Sequence, residues 1–265
     1  MAVRGVAAQV EAGSSKRRGT MVAEKQINEF ISRLRAASGE NLQCVILYGS
    51  AADGEFHPEF SNLNLLCVLR ESSFAALTAL APAVVWWTRQ KHHAPLLLTG
   101  EELQRSTDVF SIELLDMQQR HRVLFGDDVL SGLHIPMHLH RAQLEYELRE
   151  KLILLRARLL LTANDKKQLW ELLLGSLSTF TTLFRHGLIA LGDTPPKAKR
   201  EAIQALAARI PFDPSAFMQL LDIRERKAEA KQFEVTDVFA RYLAAVQDVS
   251  AAVDKMLDSP GSRSA

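Results

Sequence analysis

The chain has 265 residues, of which 47% are hydrophobic and 24% charged, a composition that excludes wholesale disorder, a collagen-like repeat and a disulfide scaffold. Its 32 Lys and Arg against 31 Asp and Glu leave a formal charge of +1, too weak a basic bias for a general electrostatic nucleic-acid binder. No apolar run of about 18 residues is present, so no membrane-spanning helix is expected.

At roughly 100–200 residues per domain, this length suits two modest domains. Residues 1–20 carry Arg4, Lys16, Arg17 and Arg18 among Gly and Ser, without the apolar stretch of a secretory signal. They are expected to be a disordered tail, with Met21 as an alternative start, and residues 259–265 a second frayed tail. Apolar residues at Ile27, Phe30, Ile31 and Leu34 predict a helix over Glu24 to Ala37, stopped by Gly39. Cys44 to Tyr48 and Leu63 to Leu69 are short apolar runs that predict buried strands. The two cysteines, Cys44 and Cys67, fall in these runs and are expected to be buried, unpaired thiols of a reducing cytoplasm. A helix follows over Phe74 to Gln90, a strand over Ala94 to Leu98 and a helical turn over Glu101 to Arg105. Phe110 to Leu115 and Arg122 to Gly126 predict two further strands.

From about residue 137 long amphipathic patterns take over. They predict helices over Leu139 to Leu161, Lys167 to Leu191, Lys197 to Ala208, Ser215 to Glu229 and Val235 to Leu257. Pro195, Pro196, Pro211 and Pro214 punctuate them. The organisation expected is an α/β (α+β) domain over residues 21–135 and an all-α helical bundle domain over residues 136–258.

The segment with chemical content lies between the first two strands. Tyr48 runs into Gly49 and Ser50, Gly54 follows four residues on, and the second strand opens with Asn62 and Asn64. Residues two apart in a strand share a face, so the two asparagines point the same way beside the Gly-Ser turn. Such a turn can offer backbone N–H groups and a hydroxyl to a phosphate.

This segment resembles the signature of the DNA polymerase beta-type nucleotidyltransferase superfamily: a Gly-Ser followed ten to twelve residues later by two aspartates separated by one residue. The stretch Phe110 to Gly126 is similar to the later strand of bacterial nucleotidyltransferase-domain proteins. The resemblance implies a mixed sheet with flanking helices, followed by a helical domain. It also implies a nucleotide pocket at Gly49, Ser50 and Gly54, two divalent metals held by the aspartate pair, and a third carboxylate. For that third position Glu113 is favoured over Asp116. A separation of three puts them on opposite faces of a strand, and Glu113 lies inside the apolar run, where a carboxylate needs a reason.

At both aspartate positions this chain has asparagine. Phosphoryl-type transfer clamped by two Mg²⁺ about 3.5–4 Å apart needs carboxylate charge, and the loss of about 4 kcal/mol of transition-state stabilisation is already about a thousandfold in rate. Asn62, Asn64 and Glu113 are therefore degenerate catalytic positions, with the asparagines expected to hydrogen-bond the Gly-Ser loop. The expected protein is a pseudoenzyme of this fold with a nucleotide as partner. The alternatives are a live nucleotidyltransferase using Mg²⁺ and a nucleoside triphosphate, and a non-catalytic module that binds a partner, or a second copy, through its bundle.

Other features have plainer expectations. His134 and His138 have i, i+4 spacing, but Pro136 lies between them and no Cys joins them, so no metal site is expected. Of Trp86 and Trp87, adjacent on a helix, one belongs to the core. Arg89, Lys91, Arg120, His121 and Arg122, and in the bundle Arg149, Lys151, Arg156, Arg158, Arg185, His186, Arg224 and Arg226, are expected to face water.

Overall fold

The computed structural model describes residues 21–52 and 63–258. Gly54, Asn62 and both tails lie outside the described residues. The chain divides between Ile135 and Pro136 into two compact units.

In the first unit, helix α1 (residues 21–38) is followed by strand β1 (Leu42–Tyr48), strand β2 (Asn64–Leu69) and helix α2 (Phe74–Arg89). Strand β3 (Leu96–Thr99), helix α3 (Gly100–Arg105), helix α4 (Ser111–Gln119) and strand β4 (His121–Gly126) complete it. The described strands form one mixed sheet in the order β3-β2-β1-β4. β1 is antiparallel to both β2 and β4, whereas β3 runs parallel to β2. A parallel neighbour needs a crossover, and α2 supplies it.

β1 and β2 are apolar almost throughout because helices cover both faces. Val45, Leu47, Leu65, Cys67 and Leu69 pack against Ile27, Phe30 and Leu34 of α1 and Leu80, Ala83 and Trp87 of α2. Cys44, Ile46, Leu66 and Val68 face the other way, onto Leu103 of α3, Leu114 and Met117 of α4, and the Leu130–Ile135 segment. Both thiols are free and buried, and burial pushes Cys44 up to about 11 and Cys67 up to about 12. Trp87 is the core tryptophan. It stacks on Phe30 at 4.7 Å and on His92 at 4.1 Å, and its indole N–H donates to the His93 carbonyl at 2.8 Å. Trp86 instead carries the Arg33 guanidinium over its ring.

The strand expected over Phe110 to Leu115 is a helix, α4. Ser111, Leu114 and Met117 are its buried residues at intervals of three, with Ile112 beside them. That is helical spacing, and it extends past the apolar run into polar sequence. The Thr99–Glu102 capping box starts α3 one residue earlier than expected, and β3 ends at Thr99.

The second unit is all-α. Helices α5 (His140–Thr162), α6 (Lys166–Ala190), α7 (Lys199–Ala207), α8 (Ser215–Arg224) and α9 (Val235–Asp258) build it. α6 is the central helix, touching α5, α7, α8 and α9. Asp165 caps it by accepting from the Lys167 and Gln168 amides. Phe180, Phe184, Phe217 and Tyr242 form the aromatic heart, with Phe217 stacked on Tyr242 at 4.5 Å. α8 stops at Arg224, before the expected Glu229, and Arg226 takes a left-handed φ of 57°.

Two charged spots expected in water are inside the bundle. Arg185 and His186 are both buried, on a helix that packs against α5, α7, α8 and α9. His186 Nδ1 and His140 Nε2 lie 2.9 Å apart. Burial is the main cause that pushes both imidazoles below the ordinary histidine value, aided at His186 by His140 and Arg185 and at His140 by Arg141. Arg224 is also partly buried, donating to the Ser178 hydroxyl at 2.7 Å.

Candidate functional site

The first β-turn of the sheet gathers most of the described candidates. β1 ends at Tyr48, and Gly49 turns the chain with φ +78°, a left-handed conformation that favours glycine. The Gly49 amide donates to the Arg120 carbonyl at 2.9 Å, and the Ala52 amide donates back to the Gly49 carbonyl at 3.0 Å. The turn Gly49–Ala51, which includes the Ser50 backbone, is thus tied both to itself and to the C-terminal end of α4.

Asn64 opens β2 directly opposite Tyr48. Its side-chain Nδ2 lies 3.4 Å from where a Cβ on Gly49 would stand, so the amide rests against the turn. Alternation along β2 puts Asn64 on the face of Leu66 and Val68, and alternation along β1 puts Tyr48 on the face of Cys44 and Ile46. These are the same face, the one α4 covers.

α4 places the Glu113 charge near enough to act on Tyr48. Burial first, and the Glu113 charge second, raise the Tyr48 hydroxyl above the ordinary tyrosine value. Glu113 is exposed in the first turn of the helix, so the expectation that it is a carboxylate held in an apolar strand is corrected. Asp116, half-buried, sits three residues on, which makes the two carboxylates neighbours on the helix surface rather than residues of opposite strand faces. Of the six candidate positions the structure brings together Gly49, Asn64 and Glu113 around Tyr48, with the Ser50 backbone in the same turn. Tyr48 itself was missed. The signal was its place as the last strand residue before Gly49, in phase with Ile46.

Arg120, expected in water, is buried at the end of α4 because its backbone closes onto Gly49. His121 reaches the Asp128 carboxylate at 3.0 Å. Asp128 also accepts from the Ser131 hydroxyl and from the Ser131 and Leu130 amides, and these bonds hold its carboxyl well below the usual range. Arg122 is exposed and paired with Glu24 at 2.6 Å, and Arg89 and Lys91 are exposed.

The described donor set does not fit a two-metal clamp. Asn64 contributes a neutral amide where the resemblance calls for a carboxylate, and among the described residues there is no group of three or more His, Cys, Asp and Glu able to hold a metal ion. His134 and His138 are exposed, and His140 is buried. A polar cavity of about 620 Å³ lies at the far end of the strands, lined by Arg35, Leu42, Gln43, Arg70 and Phe125, and has no part in this turn. Among the described residues no helix is long and apolar enough to cross a membrane.

No family model matches the chain, and no curated protein matches it. Among solved structures it is similar to a spectinomycin adenyltransferase from Enterococcus faecialis, determined with ATP and spectinomycin. The likeness has a TM-score of 0.51 at 16% identity and spans 89% of this chain and 99% of that one. A mixed sheet with flanking helices, a helical C-terminal region and this likeness define the fold as nucleotidyltransferase-like.

Proposed function

We propose that this chain is a nucleotide-binding protein of nucleotidyltransferase-like fold whose transfer chemistry is weak or lost. The observation that carries the proposal is the Asn64 amide packed on Gly49, on the face where Glu113 acts on Tyr48. A Gly-Ser turn of this kind suits a phosphate, and the similar solved protein was determined with ATP. The neutral amide supplies none of the charge that holds two dications, so nucleoside triphosphate binding is retained in this proposal while Mg²⁺-driven transfer is not.

Titration calorimetry with ATP, GTP, CTP and UTP, each with and without Mg²⁺, tests it. The expected result is binding of at least one triphosphate with no release of pyrophosphate. Absence of binding to all four would sink the nucleotide pocket, and metal-dependent pyrophosphate release would make the protein an active transferase. In the same assay Asn62→Asp combined with Asn64→Asp is expected to raise Mg²⁺ affinity. An unchanged affinity would show that these positions do not face the site.

A further inference from the structure

Helix α5 buries one face and leaves a second apolar face open. Leu144, Leu148, Leu152 and Leu155 are buried within the bundle. On the opposite side Leu139, Tyr146, Ile153 and Leu160 recur every seventh residue, just before and along α5, and are 46%, 63%, 62% and 83% exposed. Leu154 and Leu161 flank this row at 45% and 85% exposure, also seven apart. Ala142 and Ala157 are exposed on the same side.

A sevenfold repeat makes a nearly straight seam along a helix, which a second helix with the same spacing can fill. A second copy of this chain carries that helix by construction, and a two-fold axis would make the contact isologous. The area is also sufficient. At roughly 200 Å² for a fully exposed side chain of this size, the six large residues leave on the order of 700 Å² open, and a standard interface takes about 800 Å² from each partner. The two alanines supply much of the remainder.

The charges choose the orientation. Arg149 and Arg156 lie along one edge of the row, and Glu145 on the same edge. In a parallel two-fold pair opposite edges meet, so Arg149 and Arg156 do not come alongside Glu145 of the other copy. An antiparallel pair joins the same edge of both copies, so matching Leu139 with Leu160 and Tyr146 with Ile153 brings Arg156 of one copy alongside Glu145 of the other, twice by symmetry, against a single Arg149–Arg149 approach at the axis. Glu145 already accepts from Arg149 at 2.6 Å, so the partner's arginine would extend an existing ion pair.

We infer that this face of α5 is the homodimer interface of the protein, two copies packing α5 against α5 antiparallel through Leu139, Tyr146, Ile153 and Leu160. Sedimentation equilibrium of the full chain between about 1 and 100 µM tests it. The mass is expected to rise from 29.6 kDa towards twice that value. Ile153→Glu should hold the mass at that of one chain with an unchanged circular dichroism spectrum, and Leu160→Lys, near the helix end, should do the same if the first variant folds poorly. For orientation, a chain carrying both Tyr146→Cys and Ile153→Cys should form an interchain disulfide on oxidation, while either single variant should not. A wild-type monomer at 100 µM, a dimer that survives Ile153→Glu, or cross-linking by a single variant each overturns the inference. So does a monomer that Ile153→Glu destabilises, since the chain itself would then cover the face.

Discussion

Two glycines with nearly the same backbone conformation have different reasons to be glycine. Gly126 pairs with Cys44 at the end of β4, and a Cβ there would stand 2.0 Å from the Gln43 carbonyl oxygen and 2.9 Å from Cys44 Cα. Those are backbone atoms in the middle of the sheet and they cannot move aside. At Gly49 the nearest atom is a side-chain nitrogen at ordinary contact distance, so only the left-handed φ opposes a side chain. Gly49→Ala is therefore expected to lose about 1–2 kcal/mol. Gly126→Ala should lose clearly more than that, about 3 kcal/mol or more, or fail to fold. Equilibrium urea denaturation of the two variants makes the comparison, and equal losses would show that β4 does not press on Gln43. Nothing local distinguishes these glycines in the sequence. The turn role of Gly49 was legible from the strand that precedes it, whereas the close approach at Gly126 depends on a partner some eighty residues away.

At the scale of the element, α4 is where local pattern misled. Ile112, Leu114 and Leu115 form a short apolar run of the kind that periodicity assigns to a buried strand or a buried helix alike. The deciding residues were Ser111 and Met117, since burial at 111, 114 and 117 closes a helical face that a strand ending at Leu115 lacks. The helix predicts that truncating either large residue of that face is costly. Leu114→Ala and Met117→Ala should each lose about 2–5 kcal/mol in chemical denaturation. A near-neutral Met117→Ala would favour the strand. The change of element also changes the chemistry: on a strand Glu113 and Asp116 diverge, whereas on α4 they are neighbours, with Glu113 close enough to raise the Tyr48 hydroxyl. Elsewhere local signals sufficed. The apolar spacing of α1, the continuous apolar runs of β1 and β2, and the long amphipathic patterns of α5, α6 and α9 all carry their burial in their period.

For the whole molecule, pH dependence should reflect its histidines. His140 and His186 face one another inside the second unit, with Arg141 and Arg185 adding positive charge nearby. Their folded-state pKa values lie below the ordinary 6.5, so on acidification the unfolded chain takes up protons before the folded one. Stability from this pair is complete above about pH 6.5 and declines as pH falls below it. Denaturation midpoints at pH 7.5 and 5.5, where carboxylates stay ionised, should show the decline, and His186→Asn should reduce the difference. An equal difference in that variant would move the effect to other groups, among them His92 in the first unit, whose pKa is also lowered chiefly by burial.

The sequence by itself determined the helical second half, most strands and helices of the first, and that Asn64 stands beside the Gly-Ser turn. Those follow from composition and period, which are properties of neighbours along the chain. The tertiary structure decided which charged residues are buried, that α4 is a helix, and that Asn64 and Tyr48 share the face of the sheet that α4 covers. It also left one apolar side of α5 uncovered while burying the other. Each of these depends on which distant segment packs where. A residue's period reports that it has two faces, but only its neighbours in space say which face is covered and what charge stands opposite.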